Sequence, residues 1–212
     1  MQQGALYTPR MEWNDSFMSL FRNAVERYHE RPQTSIDRFF LPEEVKFLAD
    51  MGYQPAEMHA YVQEYALKGD PSPSTILLIA AARRSFFLTQ LRGISGNARP
   101  VRAIDLPADT EDFQEIPYLP RIISKATAKL FGTLDPEIMY YDEKDRKFLR
   151  EHGNIHPADF LYLTWNAHGD KQKMVSAVLN AIRTAQQQAS PATPPPAKPE
   201  PAPAIQREFN LE

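Results

Sequence analysis

The sequence predicts an all-α fold, in which two small helical modules pack together and a disordered, proline-rich C-terminal tail follows them. Three observations support this prediction. Apolar residues recur at helical spacing through most of the chain up to Gln188. Proline or a capping residue opens most of these segments, and glycine closes them. Seven of the sixteen residues from Ala189 to Ala204 are proline, which is typical of an extended spacer.

The predicted N-terminal module spans residues 14–93 and follows a flexible N-terminus of residues 1–13. Its first helix begins at Asn14–Ser16, which are good N-caps, and ends near Arg31–Pro32, because the residue before proline disfavours helical geometry. We expect Phe39–Leu41 to place apolar side chains under the next element. Three helices then end at glycines, and the last of them is apolar nearly all round, which predicts a central position. They are predicted over Pro42–Gly52, Pro55–Gly69 and Ser72–Gly93.

The predicted C-terminal module spans residues 94–188, and its first part, residues 94–118, has no sustained period. That part is predicted to be an ordered but irregular connector. A turn with a short extended piece is expected at Thr133–Tyr141, between two of the helices. Four helices are predicted, opened by Pro120, Asp142, Pro157 and Asp170; the first three are stopped by Gly132, Gly153 and Gly169.

Composition excludes several classes of protein. Cysteine is absent, which removes disulfides, thiol nucleophiles and cysteine-based metal sites. The net charge is −3 and no basic run exceeds Arg83–Arg84, so nucleic-acid binding is disfavoured. The most apolar run, Ile76–Ala82, is far shorter than the roughly 20 residues of a membrane span. Met1–Arg10 shows no signal peptide, and we therefore expect a soluble, cytoplasmic, bacterial-type protein without a cofactor.

Part of the second module has a recognisable pattern, in the segment Pro117–Leu134 and in the order Tyr140, Asp145, Phe148–Leu149, Gly153, Asp159–Phe160. Through these residues it resembles an uncharacterised bacterial family, domain of unknown function 5069. The resemblance covers about residues 100–185, and it implies a fold type and little chemistry. The family pattern has an acidic residue before a lysine and a basic residue two positions after it, whereas this chain has Ser124 and Thr127 around Lys125.

Adjacent arginines on the last helix predicted for the first module suggest two interpretations. Neighbouring helical residues point about 100° apart, so at most one of Arg83 and Arg84 can easily share the buried face. A buried arginine needs a partner, and an ion pair with a carboxylate of a neighbouring helix is expected. The other interpretation is an anionic-ligand site, in an enzyme or binding protein, at the junction of the modules. Its candidate residues are Arg84, Arg121, Lys125, Tyr141 and Arg146.

Histidines and acidic residues of the second module have similar alternatives. His152 and His156 have the i,i+4 spacing of a metal pair, with His168 further on, but Gly153 and Pro157 end the helix between them. We therefore expect no metal site. Asp142, Glu143 and Asp145 could divide acid and base work, although a helix cap with a solvated face is the more common arrangement. Asp142 is accordingly predicted to be an N-cap.

The aromatic residues of this module could line a pocket, although aromatics at helical spacing more often form the core. No phosphate-binding loop and no hydrolase or zinc-protease motif is recognisable in the sequence, which favours a non-enzymatic protein. The aromatic residues are Tyr118, Tyr140, Tyr141, Tyr162 and Trp165.

The last peptide, Ile205–Glu212, lies beyond the proline-rich spacer. Its apolar side chains, Ile205, Phe209 and Leu211, form a pattern that can dock in a groove or on a sheet edge of a partner or a shell. A merely solubilising end, or a cloning remnant at Leu211–Glu212, is the alternative. The sequence thus predicts a helical binding or adaptor protein with a protein partner, and leaves self-association open.

Overall fold

The computed structural model describes residues 12–95 and 99–189, and within these ranges it is an all-α fold. The predicted fold class is confirmed. Nine α-helices and a short two-stranded antiparallel hairpin, Asp112–Phe113 with Ile116–Pro117, are present in the described residues. The helices are α1 Trp13–Glu30, α2 Ile36–Phe39, α3 Pro42–Asp50, α4 Pro55–Lys68, α5 Pro73–Thr89, α6 Leu119–Phe131, α7 Glu143–Glu151, α8 Pro157–Ala167 and α9 Lys171–Ala189.

Local chemistry explains where most of these helices begin and end. Proline occupies the first helical position of α3, α4, α5 and α8, where its missing N–H would have no intrahelical partner. The Ser72 hydroxyl accepts a hydrogen bond from the Thr75 N–H, 3.2 Å away, and caps α5. Gly69 and Gly132 take left-handed conformations immediately after α4 and α6, as the glycine stops predicted.

Several boundaries differ from the sequence-based prediction. The N-cap of α1 is Glu12, so Asn14–Ser16 lie inside the helix, whose apolar face extends one turn further. The connector before α3 contains the short helix α2, and Leu41 is exposed although Phe39 and Phe40 are buried. The irregular segment 94–118 also holds a 3-10 turn, Ala103–Asp105, besides the hairpin. A parallel bridge joins Val101 to Leu134, at the start of the segment Thr133–Tyr141 for which a turn and a short extended piece were expected.

Residues of both predicted modules contribute to one apolar core. Helix α5 packs against α1 of the first module and against α6 and α8 of the second, so it is central to the shared core, whereas the prediction placed it at the centre of the first module alone. Fully buried side chains from each half meet in this core, including Phe17, Ile79, Ile122 and Phe160. The junction of the modules is therefore a packed interface, and its polar groups need internal partners.

Residues 1–11, 96–98 and 190–212 lie outside the described residues. The predictions of a flexible N-terminus and of a docking peptide at Ile205, Phe209 and Leu211 fall largely or wholly there. Helix α9 continues to Ala189, which is the first residue of the predicted tail. Within the described ranges, every helix is too short or too polar to cross a membrane.

Candidate functional site

A groove of about 730 Å³ lies between α4 of the first module and α6 and α7 of the second. We call it the junction groove. Its wall is highly charged and the two signs are interspersed, so its own acids are close to its own bases. Its lining residues are Glu64, Lys68, Asp109, Tyr118, Arg121, Glu137, Ile138, Met139, Asp142, Glu143, Lys144, Lys147 and Arg150.

Beneath the junction groove, Lys125 of α6 is only 1% exposed and is neutralised by α7 and its cap. Its ammonium group donates to Asp142 Oδ2 at 2.7 Å and to Asp145 Oδ2 at 2.5 Å. The Tyr118 hydroxyl donates to the other oxygen of Asp145 at 2.8 Å. Burial raises the pKa of Asp145, and burial together with the Asp145 charge raises the pKa of Tyr118. The tyrosine therefore remains a proton donor to the carboxylate.

Asp142 also fulfils its predicted structural role. Its side chain accepts hydrogen bonds from the N–H groups of Lys144 and Asp145, both at 3.0 Å, and so caps α7. The prediction of an N-cap is confirmed. Burial acts to raise the pKa of Asp142, but the Lys125 charge and these hydrogen bonds outweigh it and hold the pKa below its usual value.

Arg146 of α7 joins the two modules. Its Nη2 donates to Glu64 of α4 at 2.8 Å, and its Nε lies 2.9 Å from Asp70. The same guanidinium donates to the Tyr141 carbonyl oxygen at 3.1 Å and lies 5.9 Å from the Tyr141 ring centre. A cation held by two carboxylates and a carbonyl in this way serves as a connection between helices.

The five residues predicted for an anionic ligand are thus only partly brought together. Arg121, Lys125, Tyr141 and Arg146 lie at or beneath the junction, whereas Arg84 stacks on Trp13, 5.0 Å from its ring centre. Arg121 donates to the Pro107 carbonyl oxygen at 2.6 Å, and its Nε lies 3.0 Å from Asp109. The three basic residues at the junction therefore already have carboxylate partners, and an anion would have to displace them.

A second buried ion pair links the modules near this point. Lys129 of α6, 2% exposed, donates to Glu57 of α4 at 3.0 Å. Its ammonium group lies 4.3 Å from the ring centre of Tyr53 and 5.0 Å from that of Tyr61, and burial lowers the pKa of Lys129. The sequence analysis missed this pair. Its signal was the i,i+4 spacing from Lys125 along the apolar face of α6.

Arg83 of α5 is the buried member of the arginine pair, at 1% exposure, and no carboxylate of the described residues forms an ion pair with it. Its Nη2 donates to the Gly52 carbonyl oxygen at 2.8 Å. Its Nε and Nη1, and the buried hydroxyl of Tyr53, have no hydrogen-bond partner in the described part of the chain. Desolvation lowers the pKa of Arg83, while the charge of Glu57 acts in the opposite direction. Among the described residues, the expected ion pair between this arginine and a carboxylate of a neighbouring helix is not formed.

A cavity of about 280 Å³ adjoins this guanidinium, and we call it the Arg83 cavity. It lies between the end of α3, the start of α4 and the C-terminal end of α6, so both modules contribute to its wall. Gly132 leaves room for the arginine, because a Cβ there would overlap Arg83 Nη2. The wall consists of Val45, Ala49, Gly52, Tyr53, Gln54, Pro55, Arg83, Ser95, Phe131 and Gly132.

An aromatic groove of about 460 Å³ lies on the other side of Phe131, between the ends of α5, α6 and α8. Phe86 contacts Phe131 and Trp165 edge to face, with ring centres 5.0 and 5.3 Å apart. Tyr162 stacks on Trp165 and extends the row of rings. The pocket alternative therefore applies to Trp165, which lines this groove, and to Tyr118, which lines the junction groove, whereas Tyr140 is buried in the core. The groove is lined by Phe86, Gln90, Leu91, Thr127, Leu130, Phe131, Thr164, Trp165, His168 and Gly169.

Three histidines considered as metal ligands lie at helix ends. His152 stacks on Phe148, and its Nδ1 lies 2.8 Å from the Phe148 carbonyl oxygen. His156 caps α8 by accepting a hydrogen bond from the Ala158 N–H at 3.3 Å. His168 ends α8 in a left-handed conformation. Among the described residues, no group of three potential metal ligands is assembled.

Comparisons with protein-family models, curated proteins and solved structures found no match to this chain. The resemblance to domain of unknown function 5069 therefore stays a prediction. The geometry of its own residues is what bears on the function of this protein.

Proposed function

We propose that this chain is a non-enzymatic binding or adaptor protein, in which the helical body and the C-terminal peptide make two separate contacts with protein partners. The aromatic groove is the observation that supports this proposal most directly. Phe131 is 46% exposed at its edge, beside Phe86 and Trp165. Exposed aromatic side chains around an apolar groove are typical of the residues that contribute most to binding between proteins.

The chemistry of this groove fits an apolar anchor from a partner. Its wall has one titratable side chain, His168, whereas the junction groove carries charged residues of both signs. Burying an aromatic or leucine side chain there would remove apolar surface from water on both partners, at roughly 25 cal/mol per Å². The peptide Ile205–Glu212, beyond its spacer, would supply the second contact through Ile205, Phe209 and Leu211.

Binding through two contacts predicts that the loss of either one weakens the complex. The first experiment captures partners from a native lysate with the full chain and identifies them by mass spectrometry. Affinity is then measured by calorimetry between the purified partner and four proteins: the full chain, a chain ending at Gln188, Phe131→Ser and Leu78→Ser. Leu78 is 49% exposed and lies outside the aromatic groove, so it is a matched control for Phe131.

We expect the truncation and Phe131→Ser each to weaken binding tenfold or more, and Leu78→Ser to bind like the full chain. Equal affinity of all four proteins, or capture of no partner, would contradict the proposal. Sedimentation of the full and truncated chains across concentrations separates self-association from binding to another protein, since only self-association makes the mass of the isolated chain concentration-dependent.

A second candidate function is a small enzyme or a binder of an anionic ligand at the junction of the two modules. It is supported by the position of four candidate residues at or beneath the junction groove. These residues are Arg121, Lys125, Tyr141 and Arg146. Titration of the purified chain with inorganic phosphate, comparing Arg121→Met with the full chain, tests this candidate. Tenfold weaker binding by Arg121→Met supports it, and equal binding places any anion elsewhere.

A further inference from the structure

We infer that the Arg83 cavity is a binding site for an oxyanion, either a phosphate or a carboxylate group of a small ligand. The inference rests on a buried cation, two of whose three nitrogens have no hydrogen-bond partner among the described residues. It does not depend on the adaptor proposal, since anion binding is measured on the isolated chain. It also differs from the junction candidate above, because the basic residues there are already paired.

The first step concerns charge. An ionised side chain inside a protein is very costly unless a partner neutralises it, and arginine keeps its proton at all ordinary pH values. Arg83 is 1% exposed and forms none of the ion pairs in the described part of the chain. The nearby carboxylate of Glu57 is already bound to Lys129, so these three groups carry a net charge of +1. A bound anion would neutralise this local excess.

The second step concerns hydrogen bonds. Arg83 Nε and Nη1 and the Tyr53 hydroxyl are buried and have no hydrogen-bond partner among the described residues, and all of them can donate. Burial raises the pKa of Tyr53 well above its usual value, so its hydroxyl keeps a proton to donate. The carbonyl oxygens of Gly52 and Gly132 already accept hydrogen bonds, from Arg83 and from Gln54. Unused donors of this kind select a ligand rich in acceptor oxygens.

The third step concerns shape. A guanidinium presents its N–H groups in one plane, and its two paired edges, Nε with Nη2 and Nη1 with Nη2, match carboxylate and phosphate oxygens. Arg83 Nη2 donates one N–H to Gly52, so its second N–H forms such an edge with a neighbouring N–H that has no partner among the described residues. The centre of the Phe87 ring lies 5.4 Å from the Arg83 guanidinium carbon. Gly132 lies so close to Arg83 Nη2 that a Cβ there would overlap it, so the guanidinium is packed on two sides. The cavity volume of about 280 Å³ is roughly nine times the ~30 Å³ of one liquid water molecule, which is ample for such a group.

The experiment titrates the purified full chain with sodium phosphate and, separately, with sodium acetate, each against sodium chloride at equal ionic strength. Calorimetry gives the affinity, and the thermal midpoint gives a second measure of binding. Arg83→Met removes the guanidinium at similar volume, and Tyr53→Phe removes only the unpartnered hydroxyl. Arg84→Met is the matched control, because it changes the adjacent arginine, which stacks on Trp13 instead.

We expect saturable binding of at least one oxyanion to the full chain and to Arg84→Met. Arg83→Met should lose at least tenfold in affinity, and Tyr53→Phe about threefold or more. Binding of phosphate alone indicates a phosphoryl ligand, and binding of acetate alone indicates a carboxylate ligand; either result supports the site.

An independent measurement keeps the test decisive if Arg83→Met does not fold. In the full chain, the Arg83 Nε–H resonance should shift on titration while the Arg84 Nε–H resonance stays in place. The inference is overturned if neither anion has an effect beyond chloride, if Arg83→Met binds as tightly as the full chain, or if both arginine resonances move together.

Discussion

Two buried regions of this protein each contain a cationic side chain, and they differ in the partners that surround it. Beneath the junction groove, Lys125 is held by two carboxylates, and one of them, Asp145, is itself fully buried and receives a hydrogen bond from Tyr118. In the Arg83 cavity, the guanidinium contacts one carbonyl oxygen and no carboxylate of the described residues. Both cations are 1% exposed, so burial is not the difference. The first cation is part of the scaffold, and the second has unused capacity to bind.

The largest expected loss of stability comes from breaking the network that Lys125 forms with Asp142 and Asp145. Lys125→Met leaves Asp145 buried without a compensating charge, and the loss of one partner of a buried ion pair costs about 3–5 kcal/mol. Urea denaturation should show a loss of unfolding free energy of this size. The control is Lys144→Met on the surface of the same groove, which should cost ~0–1 kcal/mol. A loss below about 1 kcal/mol for Lys125→Met would contradict the assigned role.

The second effect tests how tightly the Arg83 guanidinium is held. Gly132→Ala has two consequences. It places an alanine in the left-handed backbone conformation, at φ 68°, and it brings a Cβ into overlap with Arg83 Nη2. Gly69→Ala is a matched control, because it creates the same backbone strain at φ 71° with no neighbour within 4 Å. We expect ~1–2 kcal/mol for the control from strain alone, and about 1 kcal/mol more for Gly132→Ala. Equal losses in urea denaturation would mean that the guanidinium moves aside freely.

The third effect is the pH dependence of the interaction between the modules. Burial acts to raise the pKa of Glu64, but its hydrogen bonds from Arg146 and Lys68 outweigh burial and lower it. A lowered pKa in the folded state contributes stability above the unfolded value of about 4.3, and this contribution is lost as pH falls through the folded pKa. Glu64→Gln should therefore cost roughly 1–2 kcal/mol at pH 7.

The difference between the full chain and Glu64→Gln should shrink as the pH falls below about 4.3. Urea denaturation at several pH values from 7 to 3 measures it. A difference that stays constant over this range would show that the Glu64 charge does not stabilise the interaction between α4 and α7.

Much of the scaffold was predictable from local chemistry, because each helix end depends on a few neighbouring residues. Pro42 and Pro55 open helices, Gly132 closes one, and Asp142 caps another, as the sequence indicated. Helix α2 was missed, since four residues are too few to show a period.

The choice between Arg83 and Arg84 could not be made from the sequence. Helix α5 is apolar nearly all round, so its pattern does not show which side faces the interior. The buried Lys129–Glu57 pair joins residues 72 positions apart, and no local pattern pairs them. Local sequence rules therefore predict the helices of this protein, whereas the candidate sites depend on which helices pack against each other.

The smallest expected effect is the sharpest test of the comparison between the two buried cations. Arg83→Met removes a charge that forms no ion pair among the described residues, and it loses one hydrogen bond to Gly52 and the contact with Phe87. Replacing buried charges by apolar side chains of similar volume is often neutral or stabilising, so the two effects should nearly cancel. In chloride buffer, we expect unfolding free energies within about 1 kcal/mol of the full chain, against about 3–5 kcal/mol lost by Lys125→Met. A loss of similar size for both variants in urea denaturation would mean that Arg83 is as much a part of the scaffold as Lys125, and the distinction between the two regions would fail.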